Sequence, residues 1–296
     1  NKSGVVMGTK IIVILACVPL YIINSFCDKV VSTKSGNSYN YIYNCVKFFV
    51  CSICMVPMLF LKASSMMALG SLICGVFCGL MYAISKTVML KGYETTSVAF
   101  MTLCHSSGMI IPCVLGHFLW SEKLSLLSII GIVVTILAIA LLKNNNQASK
   151  SIKTKGIIYG LTIFLTSGGV MISQKVMGIY FEKQAVAAYT LYSFIVPALI
   201  LSLISKPQNI KSISRKDKKT IGLCALSSAI SLSVIGFVMT GLAASVPSII
   251  LFPLFNGLGI IMVCIGSVFA FKEKLNIQNV VGLILGVLGL YIINLQ

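Results

Sequence analysis

The chain is 296 residues long, 57% hydrophobic and 10% charged, with a mean hydropathy of +1.00. A soluble domain of this size has no single core able to hide that much apolar surface. A formal charge of +17 would point a soluble protein towards nucleic acid, but most of these lysines end apolar segments, where they flank membrane spans and face anionic lipid headgroups; the expected partner is the lipid bilayer, and no nucleic acid.

A hydrocarbon core about 30 Å thick needs about 20 apolar residues of helix, and by that measure the chain is predicted to be all-α and integral to the membrane, with ten transmembrane helices. The first covers 8–27; no cleavable signal peptide is evident before it, and an opening Asn1 is expected of a chain trimmed at its start. The second, 40–61, begins in an aromatic belt of Tyr39, Tyr41 and Tyr43, then carries Asn40, Asn44, Lys47, Cys51 and Cys54 along one helical face. Two readings of Lys47 stand side by side: a lysine snorkelling to the interface, or a cavity residue, since a lipid-facing stripe would have no asparagines. Cys51 and Cys54 form a C-x-x-C without a histidine or second pair nearby, so all eleven cysteines read as small hydrophobes, with no metal or cofactor expected.

The third span, 68–90, holds Tyr82 and a snorkelling Lys86, with Gly92 as its expected end and Glu94, Thr95 and Thr96 as caps for the next helix. The fourth, 95–119, places Thr102 and His105 mid-membrane, and the fifth covers 124–142. A polar linker, 144–155, then separates two halves, 1–143 and 156–296. The sixth span, 156–177, is polar enough at Thr166, Ser167, Ser173 and Gln174 to line a cavity, and the seventh, 184–204, offers Tyr189 and Tyr192 as an aromatic pair. The eighth is 220–241; the ninth, 246–270, starts at Ser245 and Pro247 and carries Pro253, Phe255 and Asn256; the tenth is 277–294. Small residues four apart at Gly75/Gly79, Gly156/Gly160 and Gly282/Gly286 allow helices to approach closely.

Residues 95–142 can be laid over 246–293 without a gap. Ser97 falls on Ser248, Thr102 on Pro253, His105 on Asn256, Gly108 on Gly259, Glu122-Lys123-Leu124 on Glu273-Lys274-Leu275, and Gly131 on Gly282. Val56-Pro57 recurs as Val196-Pro197. Five helices per half is an odd number, so the second half must lie upside down relative to the first: two inverted five-helix repeats. Glu122 and Glu273 sit at tight turns next to lysines, where a carboxylate can accept N–H bonds from the next helix and complement its dipole, a structural role in preference to a coupling one.

The chain resembles the drug/metabolite transporter superfamily, in its ten-helix EamA-like branch. The resemblance is carried by Ser121-Glu122-Lys123-Leu124 with Gly131 and by Lys272-Glu273-Lys274-Leu275 with Gly282, although both copies lack the glycine that the family places before the glutamate. It implies a multi-pass protein of the bacterial plasma membrane that moves a small metabolite or drug by alternating access, with both termini cytoplasmic. The lysine count of the loops argues the opposite orientation.

Without a G-x-x-x-x-G-K-[ST] loop direct ATP drive is not expected, which leaves proton or counter-substrate coupling. Substrate contacts are expected from Lys47, Tyr82, Thr102, His105, Gln174, Tyr189, Tyr192, Phe255 and Asn256. With no acid mid-span to oppose Lys47, a neutral, zwitterionic or anionic small molecule fits best. A flippase for a lipid-linked substrate is the alternative on the same fold. An integral membrane enzyme is not expected, because His105 and His117 complete no catalytic constellation.

Overall fold

The computed structural model describes residues 2–34, 37–60, 69–95, 98–123, 125–143, 154–182, 185–204, 215–271 and 277–293. Among them the chain is helical and contains no strand. In order the helices are α1 (Lys2–Lys34), α2 (Asn37–Phe60), α3 (Leu69–Thr95), α4 (Val98–Ser107), α5 (Ile110–Trp120), α6 (Leu126–Lys143), α7 (Thr154–Tyr180), α8 (Val186–Ile204), α9 (Arg215–Ala243), α10 (Ser248–Phe271) and α11 (Ile277–Ile293). Six of them contain stretches long and apolar enough to cross a membrane: Met7–Asp28, Tyr41–Phe60, Leu69–Met89, Lys155–Tyr180, Val186–Ile204 and Asp217–Ala243. Shorter apolar stretches occur in α6, α10 and α11. Phe60, Phe118, Leu126, Leu203 and Ile277 are each more than 70% exposed, an outer surface suited to lipid. Hydroxyls within the helices bond back to their own carbonyls, as Thr190 does to Val186 (2.7 Å) and Thr240 to Gly236 (2.7 Å), so few are left unsatisfied in hydrocarbon.

The third and fourth spans are among those that depart from their expected limits. The predicted fourth span is divided into α4 and α5 at Gly108-Met109. Pro112 has no N–H for the Gly108 carbonyl and its ring crowds that oxygen, and the chain responds with short-range bonds from Gly108 N to His105 O and from Met109 N to Ser106 O (3.3 Å each). Gly92 does not end α3, which continues to Thr95. Gly92 is instead buried, and a side chain there would strike Met101. The linker 144–153 and the second copy of the turn, Glu273-Lys274-Leu275, lie outside the described residues.

The chain divides into two compact units, each drawing on both halves of the sequence. One comprises residues 1–19, 91–172 and 245–296, and contains α4, α5, α6, α10 and α11. Its most extensive packing is between α6 and α11, the equivalent helices of the repeat. A methyl group added at Gly289 would meet the Gly131 carbonyl at 3.0 Å and the Thr135 nitrogen at 2.9 Å, so only glycine allows this approach. Cys113, Ile132 and Ile249 form a buried cluster beside it.

The other unit comprises residues 20–90 and 173–244, with α2 packed on α8 and α9. Phe48, Cys51, Met55, Phe194, Ala198, Leu201 and Ala229 make its core. Here α3 lies against α8: a Cβ on Gly75 would fall 2.6 Å from that of Tyr192, and one on Gly79 2.6 Å from that of Val196. These small residues do what their four-residue spacing predicts.

Candidate functional site

Among the described residues, charged groups within the apolar segments gather in the second unit, where α1, α2, α3 and α9 contribute to one polar cluster. Asn24 and Asp28 are one turn apart on α1, and Tyr43 and Lys47 one turn apart on α2, so each helix presents two groups to the same place. The Lys47 side chain is only 1% exposed. Its ammonium donates to Asn24 Oδ1 (2.6 Å) and Asp28 Oδ1 (3.0 Å) and lies 5.6 Å from the centre of the Tyr43 ring. Tyr43 donates its hydroxyl to the same Asp28 oxygen (2.7 Å), and Ser228 of α9 donates to Asn24 Oδ1 (2.5 Å). Lys86 of α3 approaches the other carboxylate oxygen at 3.7 Å. A lysine removed from water is costly unless paired, and this network pairs Lys47 with a carboxylate and an amide oxygen.

This geometry revises three expectations. Lys47 is opposed by an acid, because α1 continues through Asp28 to Lys34 instead of ending at residue 27. Tyr43 is 2% exposed and bonded to that acid, so it does not belong to an interfacial belt. Lys86 is 21% exposed and turned to Asp28, so it does not snorkel. The four-residue spacing of Asn24 and Asp28 was the available signal for the missed acid. Lys175 is a further missed residue, 2% exposed on α7.

The other candidates divide between the units. With Lys47 in the second are Tyr82, Gln174, Tyr189 and Tyr192. Tyr82 stacks obliquely on Phe48 and Phe194, with ring centres 5.7 and 6.2 Å away. Tyr189 is buried and donates to Ser173 Oγ (3.1 Å), which donates to the Cys74 carbonyl (2.9 Å). Gln174 is buried and Tyr192 half-buried. An apolar cleft of about 240 Å³ between α3 and α8, lined by Ala83, Ile84, Thr87, Val88, Ile200 and Ile204, holds no charged residue.

In the first unit are Thr102, whose side chain lies outside the described residues, His105, Phe255 and Asn256. His105 is half-buried; Phe255 and Asn256 are buried, and Asn256 donates to the Phe252 carbonyl of its own helix (3.0 Å).

That unit also explains Glu122. Its carboxylate accepts the backbone N–H of Ser248 at 2.7 Å and the Ser248 hydroxyl at 3.4 Å, and so caps α10 of the second repeat, not the helix that follows it in sequence. Ser121 supplies the turn by adopting φ 52°, ψ 32°, the left-handed conformation that favours glycine. His117 donates Nδ1–H to the Glu122 carbonyl (2.9 Å) and secures the same turn. Among the described residues no three His, Cys, Asp or Glu side chains are grouped to hold a metal.

The sequence profile of the EamA-like transporter family matches residues 9–143 and again 154–295. No curated protein matches the chain. A solved structure titled only as the crystal structure of a protein aligns over 97% of both chains, with a TM-score of 0.71 and 9% sequence identity. At that identity the likeness is one of fold.

Proposed function

This chain belongs to the EamA-like transporter family, and we propose that it is a secondary transporter moving a small organic metabolite or drug across the bacterial plasma membrane. The proposed layout is ten spans in two inverted five-helix repeats, 1–143 and 156–296, that rock to give alternating access. Proton or counter-substrate exchange drives it. The observation that carries this reading is the Asp28–Lys47–Lys86 cluster, charged side chains held within apolar helices, where such groups mark a substrate or ion route. Tyr82, Gln174, Tyr189 and Tyr192 in one unit, and Thr102, His105, Phe255 and Asn256 in the other, are the further proposed substrate contacts.

The test is counterflow in proteoliposomes with labelled amino acids, amines, nucleotides and polyprenyl phosphates. Saturable exchange of a water-soluble compound is expected. Lys47→Ala, which leaves Asp28 beside Lys86, and His105→Ala should each abolish it. Movement of the polyprenyl phosphate alone would overturn the reading in favour of a flippase.

A further inference from the structure

Asp28 is shared unequally between two lysines. Its Oδ1 takes the Tyr43 hydroxyl and the Lys47 ammonium at hydrogen-bonding distances, while Lys86 stands 3.7 Å from Oδ2, an ion pair beyond hydrogen-bond reach. Among the described residues Lys86 has no other polar partner, so its three donors are unspent. Lys47 is closed off at 1% exposure, whereas Lys86 keeps 21% and Asp28 32%. The cluster therefore holds two positive charges against one negative, and the unmatched one is the charge that can still be reached. One turn before Lys86 on the same helix, Tyr82 packs with Phe48 and Phe194, so an aromatic residue shares a helix face with the lysine.

We propose that Lys86 is the docking point for a single carboxylate of the cargo, whose carbon skeleton lies along Tyr82. One carboxylate brings the local charge to two against two, and its oxygens accept the donors that Asp28 leaves idle. A dianion would overshoot that balance. Lys47 remains tied to Asn24 and Asp28 throughout and positions Asp28. The proposal rests on the transporter reading and narrows its cargo to small organic acids with one carboxylate.

The experiment uses the full chain in detergent, titrated at constant ionic strength with butyrate, butyramide, butylamine or inorganic phosphate, and followed by thermal unfolding. Butyrate is expected to stabilise saturably, and the amide and amine not to. Lys86→Gln leaves Asp28 paired with Lys47 and so should fold; it should weaken the butyrate response ~10-fold or more, the loss of a hydrogen bond to a charged group. Lys86→Arg should retain the response. Equal stabilisation by butyramide, a response to phosphate alone, or an unchanged butyrate response in a folded Lys86→Gln protein each overturns the proposal. Counterflow separates this from the parent reading. Carboxylate binding without any transport defeats the transporter reading alone. Transport of uncharged cargo that Lys86→Gln leaves intact defeats the carboxylate site alone.

Discussion

Removing the Glu122 carboxylate tests whether this acid holds α10 in place or takes part in transport. Ser248 is the first residue of α10 and is fully buried, with its N–H directed at Glu122 Oε2. Intrahelical bonding begins later, at Ile250 and Leu251, which both donate to the Pro247 carbonyl. In Glu122→Ala the Ser248 N–H loses this acceptor. A charge-assisted bond contributes about 1.5–3 kcal/mol, and a negative charge at a helix N-terminus about 0.3–1 kcal/mol more. The expected cost is therefore ~2–4 kcal/mol. Glu122→Gln keeps a carbonyl oxygen to accept the N–H and loses only the charge, so its cost should fall to about 1 kcal/mol. Labelling of Cys113 by a thiol-reactive dye, read on its own peptide because other cysteines are half-buried, follows the unfolding: Cys113 donates its thiol to the Ser248 carbonyl (3.6 Å) and is 1% exposed in the folded chain. The expected order of stability is wild type, then Gln, then Ala, with the Gln variant transporting in proportion to its folded fraction. A Gln variant as stable as wild type yet inactive would refute the capping role, and an Ala variant of undiminished stability would refute the energetics.

Ser121→Gly, which relieves a left-handed backbone, should raise stability by about 1 kcal/mol in the same dye assay. Gly178→Ala would set a methyl group 2.7 Å from the Ala244 nitrogen and 3.0 Å from the Thr240 carbonyl; backbone cannot yield as a side chain can, so a loss of about 1–3 kcal/mol is expected. Gly241→Ala, with nothing within 4 Å, is the control and should be neutral or stabilising by up to ~1 kcal/mol. Asp28→Asn leaves Lys47 and Lys86 side by side without a counter-charge; the cost should be about 3 kcal/mol, the low end for a broken buried pair because Asp28 is partly exposed. Adding Lys86→Gln to Asp28→Asn should recover part of that loss, and a strictly additive double-mutant cycle would argue against coupling between the two side chains.

Helix positions were largely legible in the sequence, since runs of apolar residues and the duplicated segment report on local periodicity. What depended on tertiary partners was not. The span ending at residue 27 excluded Asp28 by one position, because hydropathy stops at the first charge while the helix continues to Lys34. Asp28 is tolerated because Lys47, Lys86 and Tyr43 surround it. Tyr43 read as a belt residue for the same reason: its partner lies on another helix. The capping role of Glu122 could be read from its turn, but the helix it caps could not, since Ser248 is more than a hundred positions further along. The break at Gly108-Met109 went unread: Pro112 lies just beyond it, yet a proline also sits inside the unbroken α10, so residue type alone does not distinguish a break from a bend.

The pairing of α6 with α11 has a consequence for how the protein is made. α6 emerges from the ribosome long before residue 277, and its partner surface, the Gly131 carbonyl and Thr135 that receive Gly289, must wait in the membrane unfilled. Thr135 is prepared for that delay, because its hydroxyl bonds to the Gly131 carbonyl of its own helix (2.8 Å) and leaves no polar group searching for a mate in lipid. A half-finished chain thus keeps this hydroxyl paired on the waiting face, and the packing of α6 is completed only when the last helix arrives.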